Sequence, residues 1–132
     1  MRASKLSPGD HNDSPANMVT LRAYAEGLLR LLTGPSSVAL NRAAMASPEL
    51  AALLLAEGRG RTGAIVESYL ARLMAEGVLA DGDPAETFGL LYGLVVQDQQ
   101  IAVLLGSDPP SLEEIAERAE AAVVRFLELA GR

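Results

Sequence analysis

The chain has 132 residues, enough for one domain with a real core and too few for two. Its net charge is -6 and its pI about 4.7, which argues against nucleic-acid binding by this chain, because that needs a basic face. There is no cysteine, so disulfides, thiol nucleophiles and cysteine-ligated metals are excluded. The hydrophobic fraction is 49% but the aromatic fraction only 4%, so the core should be aliphatic. Alanine and leucine dominate and strand-favouring clusters are missing, which predicts mostly helix.

Residues 1–17 (MRASKLSPGDHNDSPAN) are polar, broken by Pro8, Gly9 and Pro15, and read as a flexible tail or linker stub; residues 18–132 form the domain. The tail holds the one histidine, His11, beside Asp10 and Asp13, which is a poor metal site. No apolar leader is present, and the longest apolar run is about half of the ~20 residues that a membrane span needs. The chain therefore reads as a cytoplasmic protein with no membrane contact.

Met18 to Thr33 has helical spacing through Leu21, Tyr24, Ala25, Leu28, Leu31 and Leu32, and Gly34-Pro35 stops it. Ser36 or Ser37 is expected to cap a short helix through about Ala46. Ser47 then caps a long helix, Pro48 to about Glu76. Within it EGRGRTG places Gly58, Gly60 and Gly63 close together, which predicts a kink. The spacing around Arg59, Arg61 and Thr62 fits neither phosphate-loop pattern, and no strand precedes it. Gly77 ends this helix and Asp81-Gly82-Asp83 makes a turn.

The next stretch, DPAETFGLLYGLVVQDQQIAVLLG, organises the chain. Asp83 caps it, Pro84 suits the first helical position, and one helix is expected to run to Gly106. Phe88 to Val96 is apolar on every side apart from Gly89 and Gly93, so burial on all sides is expected. The glycines lie four apart on one face, which continues through Val96, Gln97 and Gln100; a closely approaching helix would account for them. Phe88, Leu91, Tyr92 and Val95 form the other, core-facing side. Ser111 and Glu114 make a capping box for the last helix, whose inner stripe is Leu112, Ile115, Ala116, Ala119, Val123, Phe126, Leu127 and Ala130. Ala121, Val124 and Leu129 form a second apolar patch there.

No catalytic constellation, metal set or cofactor motif emerges, so the chain does not read as an enzyme. Two features remain. The last two helices carry more apolar surface than a small monomer covers, so they are expected to pair with a second copy through Gly89, Gly93, Val96, Gln97, Gln100, Val124 and Leu127. An apolar pocket is expected where Tyr24, Leu28, Leu32, Met45, Leu54, Tyr69, Leu73, Phe88 and Tyr92 converge, with Asn41 or Arg42 as further polar handles. A filled core is the alternative, giving a ligand-free helical homodimeric interaction module.

The order of three pieces carries a family resemblance: LRAYAEGLLRLLTG, then SPELA through EGVLADGDPAE, then VVRFLELAG. From Thr20 to Gly131 the chain resembles the C-terminal ligand-binding and dimerisation domain of TetR-family transcriptional regulators. That resemblance implies an all-α bundle whose last two long helices form a four-helix interface with a second subunit. It also implies a mostly apolar pocket for a small effector, and DNA reading by an N-terminal helix-turn-helix head. Residues 1–17 are too short to hold such a head, so DNA contact is expected only through a missing domain.

Overall fold

The computed structural model describes residues 15–132, with the backbone alone described at 15 and 58–62. Among the described residues it is all helix. The order is α1 (Pro15–Thr33), α2 (Pro35–Met45), α3 (Pro48–Leu54), a π-helical turn (Leu55–Arg59), α4 (Gly60–Ala75), α5 (Pro84–Val96), α6 (Gln99–Leu104) and α7 (Leu112–Ala130). α1 is helical from the first described residue, Pro15, three residues before the expected start at Met18. His11 and its neighbouring aspartates lie outside the described residues, as do the side chains of Arg59, Arg61 and Thr62.

Local chemistry sets the helix starts. The Ser47 hydroxyl accepts from the Leu50 amide at 3.2 Å, and Asp83 Oδ1 accepts from the Ala85 amide at 2.9 Å. At α7 the capping box is complete: Ser111 Oγ accepts from the Glu114 amide, and Glu114 Oε1 accepts from the Ser111 amide at 2.8 Å. That backbone bond, with help from the Ser111 hydroxyl and Arg118, holds the Glu114 carboxyl below its ordinary pKa. α2 starts differently from expectation. Its cap is Gly34, not Ser36 or Ser37, because Pro35 already suits the first helical turn. A Cβ on Gly34 would sit 3.0 Å from the Arg30 carbonyl oxygen.

The core lies between α1, α4, α5 and α7. α7 contributes Ile115, Ala119, Ala122, Val123 and Phe126, all buried. α1 answers with Leu21, Ala25 and Leu29, α5 with Leu91 and Val95, and α4 with Leu70 and Leu73. Leu112, expected on the inner stripe of α7, is 69% exposed because it is the first residue of the helix and lies beyond the core. Gly77, at φ 82, ends α4. The connection to α5 is then clipped to the end of α7: Ala80 N–H donates to the Ala130 carbonyl at 3.0 Å, and Arg132 N–H to that of Val78 at 3.2 Å.

Two irregularities shape the molecule. The predicted kink after α3 is the π turn, which carries the chain into α4 without ending the helical path. The helix expected to run from Asp83 to Gly106 instead breaks at Gln97, whose φ of 46° and ψ of -127° no helix tolerates. α6 restarts at Gln99 and packs against α1 and α2. Gln97 is the one non-glycine residue with positive φ among those described. Such a conformation costs about 1–3 kcal/mol for a residue with a Cβ. Gln97→Gly should therefore raise the free energy of unfolding by about 1 kcal/mol, read as a higher urea midpoint at unchanged slope.

Candidate functional site

The residues expected to line a pocket are only partly brought together. Leu73 and Phe88 are buried in the core, and Tyr24, Leu28, Leu32, Tyr69 and Tyr92 pack half-buried against it. They come from α1, α4 and α5. The Phe88 and Tyr92 rings stand 6.0 Å apart and tilted by 59°. Gly63 lies against the edge of the Phe88 ring, where α4 crosses α5. The Tyr69 hydroxyl donates to Asn17 Oδ1 at 3.1 Å, and the Arg72 guanidinium sits 4.9 Å above the Tyr69 ring. Leu54 is half-buried near the end of α3, outside this cluster. Met45 does not join it: the last residue of α2 is 61% exposed.

The two proposed handles have other work. Asn41 Nδ2 donates to the Ser37 carbonyl at 2.8 Å within its own helix. Arg42 reaches across to α6, with Nε donating to the Leu104 carbonyl and Nη2 to that of Val103, both at 3.1 Å. A cation on the last carbonyls of a helix satisfies orphan acceptors and opposes the negative end of its dipole.

The outer side of α5 and α7 is the second site. Gly89, Leu90 and Gly93 are exposed and Leu94 half-exposed, so this part of the helix is not buried on all sides within one chain. A Cβ built on Gly89 or on Gly93 meets no atom within 4 Å. The glycines are thus not required by any packing inside the subunit. Gln97 is exposed at the end of the same stripe, with Gln100 half-exposed beyond the break. Val96 instead turns inward and is 6% exposed. On α7, Val124 is 42% exposed and Ala121 is also outside, whereas Leu127 packs against the core.

The two outer faces are continuous. Leu94 and Gln97 line one groove together with Arg118, Ala121 and Arg125, and a second groove along α7 runs between Glu117, Ala121, Val124, Arg125 and Glu128. Arg118 Nη1 donates to Gln99 Oε1 at the edge of the first. Leu90 and Leu94 were not picked out from the sequence. Their spacing beside Gly89, Gly93 and Gln97 is the signal that marks them.

The helix order and fold are those of an all-helical domain of a TetR-type transcriptional regulator. The chain belongs to the family described as AefR-like transcriptional repressor, C-terminal domain, whose model matches residues 19–129. Its relatives are regulators of transcription and not enzymes. A TetR transcriptional regulator from Agrobacterium tumefaciens is 32% identical with a TM-score of 0.77, the match covering 96% of this chain and 63% of that one. A putative TetR-family regulator from Mesorhizobium loti MAFF303099 shares the fold at 23% identity and a TM-score of 0.75, covering 95% of this chain and 70% of that one. None of the curated proteins matches. Among the described residues no helix is long and apolar enough to cross a membrane, and no group of metal-binding side chains occurs.

The Arg42 contact generates a test. Arg42→Leu removes two bonds from a charged donor to α6, each worth about 1 kcal/mol at this partly exposed position. Amide exchange in α6 should speed up roughly thirtyfold while α7 keeps its protection, measured by hydrogen exchange with mass spectrometry.

Proposed function

We propose that this domain is the effector-sensing and dimerisation part of a cytoplasmic TetR-like transcriptional regulator, with DNA contact made by a separate helix-turn-helix head. The observation that carries the reading is the outer face of α5 and α7. It presents Gly89, Leu90, Gly93, Leu94, Ala121 and Val124 in one strip, with no packing inside the subunit to account for the glycines. Glycine costs roughly 1 kcal/mol against alanine in a helix interior, and a partner helix approaching that face would return it. Two helices from each subunit would then make a four-helix interface.

The effector region is the half-buried cluster of Tyr24, Leu28, Leu32, Tyr69 and Tyr92. Its chemistry suits a small, mostly apolar molecule that hydrogen-bonds to a phenol. Such a ligand would wedge between α1, α4 and α5. Since α5 also carries the outer face, a shift at the cluster would be passed to the interface and so to the spacing of the DNA-reading heads.

Native mass spectrometry of gently purified protein tests both halves. A dimer with extra small-molecule mass supports the reading; a dimer that never takes up small molecules favours the ligand-free interaction module. A monomer at all concentrations overturns it. Gly93→Leu fills the space of the partner helix and should weaken dimerisation by about 1–3 kcal/mol through overpacking, seen in sedimentation. Tyr92→Ala should change ligand uptake and leave the dimer mass in place.

A further inference from the structure

We propose that a second copy of this chain docks antiparallel along α7 with the two-fold axis at Ala121, so that Glu117 of each copy faces Arg125 of the other. This rests on the dimer reading above and specifies the register and selectivity of that interface. The groove along α7 is lined by Glu117, Glu120, Ala121, Val124, Arg125 and Glu128, with Glu120 already paired to Arg22 of α1 at 3.1 Å. Glu117 lies four residues before Ala121 and Arg125 four residues after it, so all three share one stripe. Glu117 and Arg125 are therefore of opposite sign and symmetric about a small residue, while Glu128 falls opposite Glu114 seven residues from the axis, where crossing helices have begun to diverge.

A two-fold interface is self-complementary: if residue i of one copy meets j of the other, then j meets i. With the axis at Ala121, the small residues meet at the crossing and let the helices approach. Glu117 then lies opposite Arg125 of the second copy, and Arg125 opposite its Glu117. A parallel pairing would set Glu117 on Glu117 and Arg125 on Arg125, and like charges across an interface are strongly disfavoured. Val124 falls opposite Arg118 of the other copy, whose head is turned aside to Gln99 and leaves its stem for apolar contact. Arg125 also pairs with Glu128 at 3.4 Å, which holds its guanidinium toward this face. Leu94 and Gln97 share a groove with Ala121 and Arg125, which brings the α5 strip with Gly93 beside the axis.

Opposed charges of this kind select partners more than they add affinity. The chain should favour its own copy over related domains that lack the same pattern. The test is sedimentation of the full chain and its charge variants, with circular dichroism to confirm helix content. Wild type should be a dimer. Glu117→Arg and Arg125→Glu should each weaken self-association by about tenfold or more, because each places like charges in both pairs. Mixed in equal amounts, those two variants should dimerise like wild type, since both pairs between positions 117 and 125 are again opposite. The double variant Glu117→Arg with Arg125→Glu should also dimerise with itself and reject the wild type. Restoration on mixing separates a charge effect from misfolding. A dimeric wild type with single variants that associate normally, or with a mixture that fails to recover, overturns this register and leaves the dimer reading standing. A monomeric wild type overturns both.

Discussion

The inner stripe of α7 is the constraint on which the other helices depend. Ile115, Ala119, Ala122, Val123 and Phe126 are buried along its length, and both α1 and α5 pack against it. Ala25 and Ala119 are completely buried, and side chains that small let two helix backbones lie close. Phe126 fills the space beside them and is among the largest fully buried side chains. Each large apolar side chain buried there contributes about 1.5–3 kcal/mol, so this seam outweighs any surface ion pair in the domain. The bonds from Ala80 to Ala130 and from Arg132 to Val78 fasten the α4–α5 connection to the same helix.

With α7 fixed, α5 acquires three duties on one short helix. Leu91 and Val95 face the core, Phe88 and Tyr92 meet the side where α4 crosses, and Gly89, Leu90 and Gly93 face outward. On the proposed reading this makes α5 the shared wall of the sensing region and the interface. Cores are close-packed and do not deform smoothly. On that reading, a ligand that displaces Phe88 would shift α5, and the outward glycines with it.

How much of this was legible in the sequence follows from where the determining forces are local. The caps at Ser47, Asp83 and Ser111 are set within four residues, and each was readable. So were the end of α4 at Gly77 and, on the inner stripe of α7, Ile115, Ala119, Val123 and Phe126, whereas the buried Ala122 lies outside the stripe that periodicity marks. The break at Gln97 was not readable, because neither glycine nor proline stands there and the apolar spacing runs on through Ile101. Val96 was assigned outward by extending an unbroken helix, and the turn of the chain just beyond it leaves it in the core. Met45 was grouped with the tyrosines by residue type. Its place at the exposed end of α2 depends on where α2 packs, which is tertiary information.

The break itself has a physical reason. A continuous helix would carry residues 99–104 straight on from α5. Turning at Gln97 lets α6 fold back on α1 and α2, where Val103 becomes 7% exposed and Gln99 8% exposed. α6 is then gripped at both ends by arginines from different helices. Arg118 of α7 donates to Gln99 at its start, and Arg42 of α2 donates to the Val103 and Leu104 carbonyls at its finish. The strain at Gln97 costs about 1–3 kcal/mol. The three arginine bonds at about 1 kcal/mol each and a buried valine at about 1.5–3 kcal/mol outweigh that strain, and they link α2 to α7 through α6. A six-residue helix thereby ties the first half of the domain to the helix that carries the outer face.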